Sequence, residues 1–213
     1  MSLASLGISV RGRSRRLTVN YRTTAEILAW AVPLLGSTPA TGLDGEVDSL
    51  VGYRSPMHGR RPTVKGAASR EEELDALARQ IRAWLNSGIE AHAIGIAARA
   101  GHMVKQARDA LRAAGISTLA LTTQSTKNAV RVGTMHGMKG LEFQAVAVVD
   151  VEQGMVPAGS AVTPAAEDPL AHDQDLQRER CVLFVACTRA RDQLYVSYTG
   201  QPSPFLPGGP AHR

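Results

Sequence analysis

Residues 145–151 read AVAVVDV, an unbroken apolar and mostly β-branched run with a single acid near its end. A strand that faces water on one side alternates apolar with polar residues. A continuous run of this length suits a strand covered on both faces, as in a parallel sheet packed between helices. The rest of the chain must supply that cover, along with neighbouring strands of the same kind. Ile94 to Ala98 and Val130 to Gly133 have the same character, and Ile116 to Leu121 and QLYVSY (193–198) supply two more strands.

Between these strands lie helical stripes. Ser69 and Glu72 form a capping box, after which Leu74, Leu77, Ala78, Ile81, Trp84 and Leu85 mark one helix face up to Gly88. Val104, Ala107, Leu111 and Ala114 form a second stripe that stops at Gly115. Nearer the start, LTVN (17–20) predicts a short strand. Thr23 and Glu26 predict a further capping box before Ile27, Trp30, Ala31 and Leu34. Strands alternating with amphipathic helices predict an α/β fold with a parallel sheet.

The other segments are less regular. Residues 36–60 are glycine-rich with little periodicity and read as a long connection, and 154–171 reads as a loop of Ala, Pro and acids. The segment 175–191 contains CVLFVAC, which periodicity alone leaves open between buried strand and buried helix; its length and charged flanks favour helix. The tail QPSPFLPGGPAHR reads as flexible. With 213 residues, 44% of them hydrophobic, the chain can bury one sizeable core with room for a small appendage.

The net charge of +5 is concentrated locally. Arg11, Arg13, Arg15, Arg16 and Arg22 form one basic cluster, and Arg54, Arg60, Arg61, Lys65 and Arg70 another. Such clusters suit polyanions such as nucleic acid, although a solvated surface or basic arm has the same composition. Cys181 and Cys187 lie in an apolar run without a second pair, which argues for buried reduced thiols rather than zinc or a disulfide framework. No apolar run reaches membrane-spanning length and no charged-then-apolar leader is present, so a cytoplasmic protein is expected. Met1-Ser2-Leu3 could be an expression scar, which would make the chain a fragment of something longer.

An α/β chain containing GTMHGMKGLEF (133–143) raises the question of a phosphate-binding loop. A P-loop needs G-x-x-x-x-G-K-[ST], in which backbone N–H groups and a lysine hold the phosphates and a hydroxyl holds magnesium. Here the lysine precedes its glycine and no Ser or Thr follows, so the loop does not qualify. Asp150 and Glu152 imitate the magnesium-binding acid at the end of a buried strand, but without a P-loop a structural role is the better reading, and no metal site is assigned. His136 has no nucleophile and orienting acid that sequence can pair with it. What remains are three polar clusters beside elements of the sheet: Asn20-Tyr21-Arg22, Thr134 to Glu142, and Thr188-Arg189. Open parallel sheets bind ligands at strand ends, and the three clusters are expected to converge on one edge.

These clusters carry a resemblance. LTVNYRTTAEILAWA (17–31) looks like motif IV, VRVGTMHGMKGLEFQAV (130–146) like motif V, and RERCVLFVACTRARDQLYV (178–196) like motif VI of superfamily 1 DNA helicases of the UvrD, Rep and PcrA type. All three occur in order, and the intervening helix, strand and helix match as well, so the resemblance covers about residues 10–200.

The resemblance implies a RecA-like three-layer domain over residues 17–200, the second motor domain of such a helicase, with the P-loop NTPase fold but no P-loop of its own. Residues 1–16 would be a basic segment ahead of it and 201–213 a flexible tail. It further implies that ATP with Mg2+ binds between this domain and the N-terminal RecA-like domain, which supplies the P-loop and the magnesium ligands. Arg22 and Arg189 would be the catalytic arginines at the γ-phosphate. Tyr21 would pack on adenine, and Gly140 with Glu142 would hold the nucleotide, Glu142 through a ribose hydroxyl. Thr134, His136 and Arg99 would face single-stranded DNA. A monomer acting in DNA repair with 3′-to-5′ polarity, inactive without the P-loop domain, completes the expectation.

Two departures qualify it. Only LTTQSTKN separates the GIST strand from VRVG, which leaves no room for the family's large accessory subdomain. Gly101 stands where the family usually has asparagine, which weakens the DNA assignment around Arg99. A module that kept the motor fold for nucleic-acid binding and lost catalysis stays open as the alternative.

Overall fold

The computed structural model describes residues 19–36, 40–41, 47–48, 54–123 and 128–208. The basic segment 1–16, the first half of the expected strand at 17–20 and the last residues of the tail lie outside this set.

Six strands form one parallel sheet: β1 (Thr63–Ala67), β2 (Ile94–Ala98), β3 (Thr118–Ala120), β4 (Val130–Thr134), β5 (Phe143–Val148) and β6 (Ala190–Thr199). Their order across the sheet is β1-β6-β5-β2-β4-β3, and every neighbouring pair is parallel. Four α-helices accompany them: α1 (Ala25–Ala31), α2 (Arg70–Asn86), α3 (Gly101–Ala113) and α4 (Pro169–Cys187). A two-residue antiparallel pairing of Ala40–Thr41 with Val47–Asp48 stands apart from this sheet.

The AVAVVDV run is covered on both faces, as its composition requires. Val146 and Val148 enter a core with Ile27, Leu34, Leu183, Ala186 and Val196, which includes residues of α1 and α4. Ala145, Ala147 and Val149 point the other way, into a core with Leu77, Ile81, Trp84, Ile96 and Leu111 from β2, α2 and α3. This is the period-2 alternation of a central strand between two helical layers. Among the described residues no helix is long and apolar enough to cross a membrane.

Several local expectations are corrected. The Ser69 hydroxyl accepts from Glu72 N–H at 3.2 Å, and the Glu72 carboxylate reaches back to Ala68 N–H at 2.9 Å, so this box forms one residue wide of the usual register. The Thr23 and Glu26 box does not form. Thr23 Oγ1 donates instead to Ala190 O at 2.5 Å, and Glu26 accepts from Gly59 N–H at 2.8 Å. Helix α4 begins at Pro169, earlier than its apolar run suggests, because Asp168 caps Leu170 and Ala171 N–H groups and proline suits the first turn. Strand β1 carries no apolar signal: it is an edge strand whose residues are exposed up to Ala67.

The tail is also corrected in part. Ser203, Phe205 and Leu206 are buried, and Ser203 N–H donates to Val151 O at 2.9 Å, so residues 201–206 pack as part of the domain. Phe205 lies under the Arg180 guanidinium, whose carbon is 4.1 Å from the ring centre. Two apolar side chains in a proline-rich segment gave the order, where glycine and proline composition argued for none.

Candidate functional site

The three polar clusters converge in part: Arg22, Glu142 and Arg189, one from each, come together, but not every residue singled out lies with them. The whole set divides between the two ends of the strands, and the sheet topology explains the division. Thr134 ends β4 and Arg99 follows the end of β2, whereas Glu142 and Arg189 immediately precede β5 and β6. Residues 135–142 therefore run from the C-terminal edge of the sheet to its N-terminal edge. Met135 and Met138 anchor this passage in the core shared with α4.

At the N-terminal edge, three distant segments meet. Arg22 Nε donates to Glu142 Oε2 at 3.2 Å, with both side chains about half exposed. The Arg22 segment is held by its backbone: Asn20 Oδ1 accepts from Arg22 N–H at 2.7 Å, and Thr24 N–H donates to Arg191 O at 3.1 Å. Arg189 closes α4, its Nε donating to Val185 O at 3.1 Å and its Nη1 reaching Leu141 O at 3.5 Å. Its own carbonyl accepts from Phe143 N–H at 3.0 Å, which joins the start of β6 to the start of β5. Burial, followed by the like charge of Arg22, holds the Arg189 guanidinium below the usual arginine range, with Glu142 opposing the shift. Arg22 alone pairs with the Glu142 carboxylate, Arg189 lies close enough to feel both charges, and the local excess of positive charge favours an anion.

Tyr21 is 73% exposed beside this cluster, a large aromatic surface left in water. Gly140 has φ +82°, a conformation that side-chain-bearing residues rarely adopt, and open space where a Cβ would stand. Between Phe143 and Ala145 the β5–β6 register shifts by one residue, so that Arg191 and Asp192 of β6 stand against the single residue Gln144 of β5. Such bulges redirect side chains at the rims of sheets. Arg191 clasps Asp192 with two contacts of 2.9 Å. Sequence reading missed Arg191, since a register shift leaves no local signature.

The C-terminal edge is organised around Glu179. Arg99 pairs with it through Nε at 2.8 Å and Nη2 at 2.6 Å, and Ala158 N–H adds a third contact at 3.1 Å. The pair is buried, with 15% of the Arg99 side chain and 5% of the Glu179 side chain exposed. Burial works most strongly against the Glu179 carboxylate, yet Arg99, Ala158 N–H and the nearby His136 outweigh it and hold its pKa below the usual range. Arg99 therefore has its charge satisfied within the protein, unlike a side chain poised for phosphate. Thr134 Oγ1 accepts from Gly137 N–H at 3.2 Å, and the exposed His136 opens a 3-10 turn that ends at the buried Met138.

Asp150 and Glu152 come together with Glu73, their carboxylate oxygens within 4.8 Å of one another. Arg70 of the second basic cluster pairs with all three acids. Ser197 and Thr199 hydroxyls donate to Glu73 at 2.6 and 2.9 Å, and Asp150 N–H does so at 3.0 Å from a left-handed backbone, φ 62°. This internal ion network ties α2 to the ends of β5 and β6. The expectation of two buried thiols holds for Cys187, whereas Cys181 is exposed.

The family of UvrD-like helicase C-terminal domains matches residues 109–201. That range is less than half of the chain, and over it the chain is similar to that family. The ATP-dependent DNA helicase PcrA of Staphylococcus aureus (strain Mu50) is 35% identical over 88 residues, 38% of this chain and 11% of the helicase. PcrA of Staphylococcus epidermidis (strain ATCC 35984) is 38% identical over 92 residues, 38% of this chain and 12% of the helicase. The matched stretch thus spans about a tenth of the curated relatives' length.

The fold extends further than the sequence match. The crystal structure of the C-terminal domain of a possible DNA helicase from Lactobacillus plantarum WCFS1 superposes with a TM-score of 0.62 at 19% identity, covering 90% of this chain and 95% of that one. Thr134, His136, Gly140, Glu142 and Arg189 fall inside the range matched by the family, and Tyr21, Arg22 and Arg99 precede it.

Proposed function

We propose that this chain works as the second RecA-like half of an ATP-dependent DNA motor. On this reading it completes an ATP site whose P-loop and magnesium-binding carboxylates belong to a first RecA-like domain of the same protein. The observation that carries the proposal is the meeting of Arg22, Glu142 and Arg189, which come from three segments far apart in sequence, at one edge of the sheet. The exposed Tyr21 and the open backbone at Gly140 supply a stacking surface and room for a nucleotide.

Arg22 and Arg189 set positive charge against the negative charge on the γ-phosphoryl oxygens during transfer to water. Glu142 turns from Arg22 to a ribose hydroxyl when nucleotide arrives, which frees that guanidinium for phosphate. The donors at this edge suit phosphate and ribose groups, and magnesium falls to the carboxylates of the other domain. At the opposite edge Thr134 and His136 meet single-stranded DNA, and Arg99 is removed from the contact set because Glu179 already neutralises it.

The test supplies the missing half. The chain alone hydrolyses ATP negligibly, and addition of the P-loop domain restores hydrolysis that single-stranded DNA stimulates. A module that binds nucleic acid without catalysis restores nothing, and that result would replace this reading with the alternative.

A further inference from the structure

We infer that the buried Arg99–Glu179 pair is the joint through which occupancy of the DNA edge reaches Arg189, so that both residues position the catalytic arginine rather than touch either ligand. The inference rests on the function proposed above and assigns to these two residues a role in coupling.

The reasoning starts from where α4 lies. Glu179 is on α4 beside the C-terminal edge of the sheet, and Arg189 follows its last residue at the N-terminal edge. From Glu179 to Cys187 the helix advances about 12 Å, roughly the length of a short central strand, and Thr188 leads on to Arg189. Helix α4 is therefore a strut between the two edges, and a rigid one, because Leu183, Ala186 and Cys187 are fully buried.

Each end of the strut is fixed to motif V. At the DNA edge, Thr134 pairs in register with Ala98, and Met135 N–H donates to Ala98 O at 2.9 Å. The next residue is Arg99, whose planar guanidinium grips Glu179 through two bonds and resists rotation as a single contact would not. At the nucleotide edge, Arg189 reaches Leu141 O. The result is a closed circuit: Thr134 to Leu141 along the loop, Arg189 back through α4 to Glu179, and Arg99 with Ala98 back to Thr134. A shift of Thr134 and His136 on binding DNA moves the Ala98–Arg99 backbone, and through the pair it moves α4 and Arg189. Ala158 N–H, also on Glu179, ties the loop after β5 to the same joint.

The experiment uses the full-length protein that contains this chain, with Glu179→Gln as the main variant. Glutamine keeps the shape and the acceptor for Ala158 and removes the charge that grips Arg99. Three quantities are read: ATP hydrolysis without DNA, hydrolysis with saturating oligo-dT, and the Kd for labelled oligo-dT. Expected is a loss of about fivefold or more in stimulation by DNA. Basal hydrolysis and Kd should stay within about twofold, as for a residue that touches neither ligand.

Unchanged stimulation overturns the inference. So does tighter oligo-dT binding, which would mean that Arg99 is a DNA contact held back by Glu179. If the variant loses basal hydrolysis through misfolding, Arg99→Met with Glu179→Leu fills the same space without buried charge. Loss of stimulation in that pair supports the joint, and retention overturns it. Wild-type protein that ignores oligo-dT altogether fails the underlying function instead, which keeps the two failures distinguishable.

Discussion

Arg22 and Glu142, 120 positions apart in sequence, are joined by an ion pair of 3.2 Å on an exposed edge of the sheet. Exposed pairs contribute about 0–1 kcal/mol to stability, so this one is not there to hold the fold together. The paired residues are thus predicted to separate cleanly between function and stability. With the P-loop domain present, Arg22→Ala or Arg189→Ala should lower the rate of ATP hydrolysis by about a thousandfold, the usual scale for an arginine acting on a γ-phosphate. The melting temperature of Arg22→Ala should stay within about 3 °C of the parent. A large loss of stability with hydrolysis intact would refute the assignment of Arg22.

Gly133 lies in β4 just before the site loop, and a Cβ added there would sit 2.4 Å from Leu121 Cδ1. Leu121 is buried and has little room to yield. Gly133→Ala is expected to destabilise the domain by about 1–3 kcal/mol, the range for overpacking. Adding Leu121→Ala should recover part of that loss, because the second change removes the clash; chemical denaturation of the two single variants and the double gives the coupling energy. Additive losses would show that the contact is not the cause.

The Glu179 carboxyl is held below its usual range in the folded protein, against burial, by Arg99, Ala158 N–H and His136. A depressed folded pKa means that the unfolded chain binds the proton first. The stabilisation is present above the unfolded value, about 4.3, and is lost as pH falls through the lower folded value. Denaturant titrations between about pH 3 and 6 should therefore show stability falling on the acid side. Glu179→Gln should flatten that slope while starting from lower stability at neutral pH. An equal slope in both proteins would assign the acid sensitivity to other carboxylates, Asp175 first, since Thr163 holds its pKa low as well.

How much of this was legible in the sequence follows from which interactions are local. The AVAVVDV run and the stripe from Leu77 to Trp84 announce their elements because burial imposes a period on neighbouring residues. Strand β1 gives no such sign, since an edge strand is defined by its pairing with β6 and its own side chains face water. Individual site residues were visible by type and motif, and the resemblance set a DNA group apart from a nucleotide group, yet the placement of the two groups at opposite edges of the sheet was not visible. That division depends on strand direction at each end, and residue spacing carries no record of it. Glu179 was readable in principle: Asp175, Glu179, Leu183 and Ala186 follow the buried stripe of α4, so acids placed on an apolar face need partners. Arg99 is the partner that only the folded sheet reveals.

Cys181 is exposed and Cys187 is fully buried, and burial pushes both thiols above their usual range, Cys187 far more than Cys181. The thiolate is the reactive form. At pH 8 in native buffer, a thiol reagent such as an aromatic disulfide should label Cys181 slowly and leave Cys187 unmodified. In denaturant both should react together. Rapid labelling of Cys187 in native buffer would mean that the end of α4, and with it Arg189, opens far more readily than its packing implies.

Phe205 is 3% exposed beneath the Arg180 guanidinium, and Arg180 Nη1 in turn donates to Leu34 O at 3.1 Å. The segment after β6 thereby braces α4 against the turn that follows α1. Phe205→Ala should cost about 3–5 kcal/mol, the range for deleting a buried phenylalanine side chain. Truncation at Gln201 should cost at least as much, because it also removes Leu206 and the Ser203 contact to Val151. Trimming after Gly208 should change stability little by comparison. Urea unfolding of the three proteins ranks these effects, and equal midpoints for all three would return residues 201–206 to the status of a loose tail.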